Sequence, residues 1–328
     1  MKEHEQENPF PYSHTNKRYH TYDHYVKSVF GEKCVKVGLD GGFTCPNRDG
    51  SKGVGGCAFC AAGGGESLPL GRDEGLPRPL RAQYEEGRAR LMNKWGNAPV
   101  IAYFQNYTST YAPVERLRAL YEEALSFEDV VGLTIGTRPD CLPHDVLSYL
   151  EELNSRTRLT VELGLQTTFD ESAQALNRHH SYDDFLKAFH ALRAKGISVG
   201  VHLLNGLPGE SREMMLENAR RVGALHPQLV KIHCLYYRKG SALTERFLRG
   251  KLSAMSMEDY VELLADQIEV LPPETVVERV TGDAKRGSLV APLWSTNKIK
   301  VINLLDQTLA KRGSFQGKKL EFVQVAQK

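Results

Sequence analysis

Short runs rich in β-branched and apolar residues alternate along this chain with amphipathic helical stretches, and that alternation leaves few folds open. The spacing predicts strands over residues 35–39, 100–105, 130–137, 159–166, 198–204 and 229–235, and helices over 80–95, 114–126, 144–154, 183–195 and 212–225. Pro113 and Pro143 stand where a first helical turn tolerates proline. Ser181, followed three residues later by Asp184, has the pattern of a capping box. Six strand–helix units predict an α/β chain with a parallel sheet, either an open partial (β/α)6 barrel or a doubly wound sheet. In both, chemistry belongs at the C-terminal ends of the strands.

The reading divides the chain into an irregular N-terminal arm (1–33), a barrel (34–240) and an extension (241–328). The extension holds helices at 257–270 and 297–311 and a polar tail from Gly313. With 328 residues, 41 % of them apolar, the chain can bury a sizeable core without a disulfide or metal staple. Its net charge of +2 excludes a histone-like nucleic-acid binder but not a local basic groove. The first twenty residues contain no apolar h-region, and no apolar run approaches a membrane span. Six cysteines in such a chain suggest reduced thiols in the cytoplasm, and clustered ones suggest metal or redox chemistry.

Three of the cysteines cluster. Cys45, Cys57 and Cys60 lie in CPNRDGSKGVGGCAFC, a C-x11-C-x2-C pattern directly after the first strand. The C-x2-C turn points two sulfurs at one site, and the Gly- and Pro-rich connection folds the third back onto it. Three thiolates leave one position of an iron–sulfur cluster open to a ligand. The competing reading is a structural zinc site, although no nearby C-x2-C or H-x3-H completes a tetrad.

Several segments extend the pattern: GLDGGFTCPNRDGSKGVGGCAFC, YFQNYTSTYAP, IGTRPDCLP, VELGLQTTFDE and HLLNGLPGES. With these motifs the chain resembles the radical S-adenosylmethionine (SAM) enzymes of the branch related to the elongator catalytic subunit, and within it the short stand-alone YtqA/YhcC type. The resemblance runs from about residue 20 to residue 310. It implies a [4Fe–4S] cluster on Cys45, Cys57 and Cys60, with SAM chelating the open iron, and generation of a 5′-deoxyadenosyl radical.

The resemblance also implies SAM contacts. Phe59 could pack on adenine. Gln166 and Arg178, twelve residues apart, sit at motif positions that contact SAM, and an arginine suits a carboxylate. A solvated surface arginine is the plain alternative for Arg178. Glu162 shares a strand face with Gly164 and Gln166 and would meet ribose hydroxyls, or else form a buried ion pair with Arg138. Thr137, Arg138, Gln105, Asn106 and His202 lie at other strand ends, with a satisfied core histidine as the alternative for His202. Cys34, Cys141 and Cys234 read as small apolar residues, with Cys141 a candidate radical relay. Gly63–Gly65 form a flexible segment, a linker or a lid.

For substrate, the branch implies the wobble uridine of tRNA. The chain ends too early for an acetyltransferase domain, so the expected reaction is reworking of an installed side chain, carboxymethylaminomethyl to aminomethyl. Between residues 285 and 319, eight basic residues face one acidic residue, and HTNKRYHTYDHY mixes bases with aromatics. The expected partners are tRNA and an electron donor such as flavodoxin or ferredoxin. The rivals are a radical SAM enzyme acting on a small molecule or tetrapyrrole, and a non-catalytic zinc protein that binds RNA.

Overall fold

The computed structural model describes residues 10–61, 77–282 and 287–320. The Gly63–Gly65 segment, Lys285 and Arg286 lie outside the described residues. In chain order the elements are α1 (Tyr22–Phe30), β1 (Val35–Leu39), α2 (Leu80–Trp95), β2 (Val100–Phe104), α3 (Val114–Leu125), β3 (Val130–Thr137), α4 (His144–Arg156), β4 (Arg158–Gln166), α5 (Asp170–Ala175), α6 (Tyr182–Ala194), β5 (Ser198–Asn205), α7 (Arg212–Gly223) and β6 (Leu229–Cys234). They continue with β7 (Tyr237–Arg238), α8 (Ala242–Leu248), α9 (Met257–Glu269), β8 (Val276–Arg279), β9 (Leu289–Ala291) and α10 (Lys298–Lys311).

Seven parallel strands form one sheet in the order β1-β2-β3-β4-β5-β6-β8, curled into a partial barrel. The period-2 alternation of the strands explains its two faces. Val35, Val37 and Leu39, Val100, Ala102 and Phe104, and Val161, Leu163 and Leu165 point outward into the main apolar core under the helices. The intervening positions point inward, where Lys36, Tyr103, Glu162, His202 and Lys231 meet. Gly200 makes room for this interior, because a Cβ there would lie 3.1 Å from Glu162 Cγ. Ser181 and Asp184 form the capping box that starts α6.

Beyond the short α5, β7, α8 and β9, which the sequence reading does not contain, two segments differ from the expectation. The seventh strand, β8, comes from the extension; it pairs with β6 because an open barrel leaves that strand's outer edge unpaired. The arm is not irregular throughout. The Thr21 side chain caps α1, Gly31 (φ 77°) ends it, and Thr21 bridges to Val277. Tyr22 lies 4.8 Å from the Lys36 ammonium, so α1 covers the opening between the two edge strands. The tail past Gly313 is anchored by Gln316, which is buried and donates to the carbonyls of Pro272 (2.6 Å) and Thr275 (2.7 Å).

Candidate functional site

The cysteine segment is a compact turn at the C-terminal end of β1. Arg48 and Asp49 N–H groups donate to Cys45 O, Lys52 and Gly53 to Pro46 O, and Cys60 to Cys57 O. Asn47, fully buried, donates from Nδ2 to Cys57 Sγ (3.5 Å) and to the Asn177 carbonyl. Asn177 in turn donates to Gly56 O at 2.9 Å. A side chain at Gly53 would displace its neighbours, since a Cβ would sit 2.5 Å from Asn47 Oδ1 and 2.8 Å from the His179 ring. The link between α5 and α6 therefore braces the cysteine turn.

All three cysteines line one cavity of about 210 Å³, together with Phe59, Gln105, Thr137, Arg138, Glu162, Gln166, Arg178 and His202. A second cavity of about 170 Å³ shares Phe59, Cys60, Gln166 and His202 with it. The Cys57 thiol is held well below its usual value, first by a hydrogen bond from Cys60 and then by Arg178 and Arg138. Arg178 donates from Nη1 to Cys57 Sγ at 3.3 Å and from Nη2 to the Gly164 carbonyl. Arg138 forks onto Asp140 (2.9 and 2.9 Å) and donates to Arg178 O at 2.8 Å. Arg138 Nη1 and Arg178 Nε are buried and, among the described residues, have no partner. Two orphaned cationic donors beside three sulfurs suit an anionic group, because buried donors of this kind are costly unless bonded.

Backbone strain marks the same place. Gln166 has φ 76° at a bulge ending β4, and Tyr107, Asn177 and His179 also take left-handed angles. Such conformations cost of order 1–3 kcal/mol and persist where the surroundings over-determine them.

Among the described residues, no three His, Cys, Asp or Glu side chains gather tightly enough to hold a single metal ion. Three cysteines and two cationic donors lining one cavity fit a cubane, which takes each thiolate on its own iron.

Residues 45–222 match the radical SAM superfamily, and residues 227–311 match the radical SAM C-terminal domain. The chain belongs to the radical SAM superfamily. It is 47 % identical to the uncharacterised YtqA of Bacillus subtilis over 95 % of this chain and 96 % of that one. It is 37 % identical to YhcC of Escherichia coli K12, covering 87 % of this chain and 90 % of that one. Over 51 % of this chain and 31 % of the relative, it is 30 % identical to the tRNA uridine(34) acetyltransferase of Methanocaldococcus infernus. The solved structure of archaeal Elp3 from Methanocaldococcus infernus shares the fold, with a TM-score of 0.62 at 20 % identity. This chain is covered to 86 % in that superposition and spans 64 % of the Elp3 chain. The cofactors of this radical SAM enzyme are a [4Fe–4S] cluster and SAM.

The structure gathers every sequence-derived candidate but two. Asn106 points away from the cavity and donates to Asp40 Oδ2 at 2.9 Å; the left-handed turn at Tyr107 redirects the chain just beyond it. Cys141 lines a separate cavity of about 910 Å³, and burial pushes its thiol up to about 12. The Thr137 hydroxyl reaches the cavity wall but is tied to Thr110 Oγ1 at 2.5 Å.

Glu162 is neither free for ribose nor paired with Arg138. Its Oε2 accepts from Tyr103 (2.6 Å), Lys231 (2.6 Å) and His202 (2.9 Å), and its Oε1 from Lys36 (3.1 Å). Burial alone would raise the carboxyl, but Lys231, Lys36 and His202 hold it well below the carboxylate range. Sequence reasoning missed Lys36, Tyr103, Lys231 and Glu278. Their signal was polar residues at alternate positions within otherwise apolar strands, as in VKVGL and LVKIHC.

The basic stretches do not form one free face. Arg312 pairs with Glu262 and Asp266, and Lys319 with Glu269. In the arm, Arg18, Tyr19 and His20 are buried, and His20 stacks on Tyr12 at 4.8 Å. Among the described residues, no helix is long and apolar enough to cross a membrane.

Proposed function

We propose that this radical SAM enzyme remodels a side chain on the wobble uridine of tRNA, converting carboxymethylaminomethyl to aminomethyl, with the two-carbon unit leaving as glyoxylate after a two-electron oxidation by SAM and hydrolysis by water. The observation that carries this reading is the similarity of half the chain to a tRNA uridine(34) acetyltransferase. Cys45, Cys57 and Cys60 hold the cluster in this reading, and a flavodoxin or ferredoxin supplies electrons.

When bound, cluster and SAM supply a 5′-deoxyadenosyl radical for hydrogen abstraction. The chain's own residues bind and orient. Arg178 Nε and Arg138 Nη1 offer their unpartnered N–H groups to the SAM carboxylate. Phe59, on the wall of both cavities, packs on adenine, and Gln105 and Gln166 border the remainder. Leu204 and Leu235 supply apolar wall to the second cavity, beside Gln166, His202 and His233. Thr137, tied to Thr110, positions the β3 end and does not meet the ligand directly.

The test is incubation of reconstituted protein, SAM and reductant with tRNA carrying carboxymethylaminomethyluridine, followed by mass spectrometry of the nucleosides. The reading expects aminomethyluridine to appear at the expense of the starting nucleoside. An unchanged nucleoside profile, with 5′-deoxyadenosine formed regardless of tRNA, would contradict it.

A further inference from the structure

His202 sits where the two cavities meet and lines both. Its Nε2 lies 2.9 Å from Glu162 Oε2. Glu162 cannot be the donor, because Lys36 and Lys231 hold it ionised. The imidazole therefore carries its hydrogen on Nε2, and Nδ1 is left as a bare lone pair. Among the described residues, Nδ1 has no hydrogen-bond partner. A buried carboxylate in this position fixes the tautomer of the histidine and aims its bare nitrogen.

The groups facing His202 come from five strands. Lys36 comes from β1, Tyr103 from β2, Glu162 from β4, Lys231 and His233 from β6, and Glu278 from β8. The His233 ring stacks 5.9 Å away. Burial first, and then Lys231, lowers the affinity of His202 for a proton, against the pull of Glu162. The neutral form of the ring is the one this environment favours, which leaves the Nδ1 lone pair available.

We propose that His202 is a catalytic base whose Nδ1 takes a proton from a secondary ammonium of the substrate, next to the C–H bond that is broken. The N–H bond breaks, an Nδ1–H bond forms and no electron moves in this step. An ammonium has no lone pair to stabilise a neighbouring carbon radical, whereas the neutral amine has one. This inference rests on the tRNA reading, since the carboxymethylaminomethyl group carries such an amine. Lys36, Lys231 and Tyr103 are positioning residues that act through Glu162.

The experiment uses reconstituted full-length enzyme and two anticodon stem-loop RNAs. One carries carboxymethylaminomethyluridine, and the other has oxygen in place of the side-chain nitrogen. Substrate-dependent 5′-deoxyadenosine is measured from pH 6 to pH 9. For wild type, kcat/KM should show an acid limb on the amine RNA that is missing on the ether RNA. In His202→Gln, the ratio of amine to ether turnover should drop about 100-fold at pH 7 and recover towards pH 9.

A ratio unchanged by the substitution, or a loss equal at every pH, would overturn the base and leave the tRNA reading standing. If the variant does not fold, the wild-type profiles still decide, because identical acid limbs on both RNAs would overturn the proposal. Wild-type enzyme inactive on both RNAs would remove the tRNA reading and the base with it.

Discussion

Glu162 takes its four donors from four different strands, so one buried carboxylate ties the interior of the barrel together. Removing a partner from a buried ion pair leaves an uncompensated charge and costs about 3–5 kcal/mol. Glu162→Ala should lower the unfolding free energy of the apoprotein by about 3 kcal/mol or more, because Glu278 alone must then serve both Lys36 and Lys231. Denaturant titration measures this; a loss below about 1 kcal/mol would mean that the lysines relax into solvent. At Gly53 the expected effect is on cofactor retention. A Cβ 2.5 Å from Asn47 Oδ1 displaces the side chain that braces Cys57. Gly53→Ala should therefore keep markedly less iron through gel filtration than wild type, and equal iron content would show that the turn adapts. The cysteines and Arg178 were legible because motif spacing carries them. The lysines were not, because a lone Lys or Glu in a strand reads as a solvated side chain until the closing sheet puts it inside.

At the scale of elements, the cap of α6 could be read from four residues, since Ser181 and Asp184 satisfy each other's backbone donors. Ser181→Ala should cost about 1 kcal/mol in chemical denaturation without changing the cofactor content. The strands up to β6 were legible from apolar runs, and the helices from α2 to α4 from their periodicity and start signals. The short α5, β7, α8 and β9 were not, and neither were β8 and α1. The β8 segment VVER has two apolar residues and follows Pro272 and Pro273, so it reads as a turn; it becomes a strand because β6 offers an open edge. Helix α1 buries only Val26 fully, too little for a periodic signal, and is held by Thr21 and by packing against the barrel edge.

For the whole molecule, the N-terminal arm and the C-terminal tail close the barrel jointly. The His20 backbone N–H donates to Gln316 Oε1 (2.8 Å), and its ring Nδ1 donates to Glu274 O (3.2 Å). Burial first, and also His24, lowers its pKa from 6.5 to about 4. The unfolded chain therefore binds this proton first as pH falls. The contribution of His20 is fully present above about 6.5 and is lost as pH drops towards 4. The thermal midpoint of the apoprotein should fall between pH 7 and pH 5, and His20→Asn should shrink that fall; an undiminished fall would assign acid sensitivity to other groups.

The central claim is that Cys45, Cys57 and Cys60 carry a catalytic cluster that cleaves SAM. Its most direct test is anaerobic reconstitution with iron and sulfide, addition of dithionite and SAM, and chromatography for 5′-deoxyadenosine, with Cys57→Ala in parallel. The account predicts about four irons per wild-type chain and deoxyadenosine that disappears in the variant. A colourless wild-type protein that takes up zinc and forms no deoxyadenosine would contradict it.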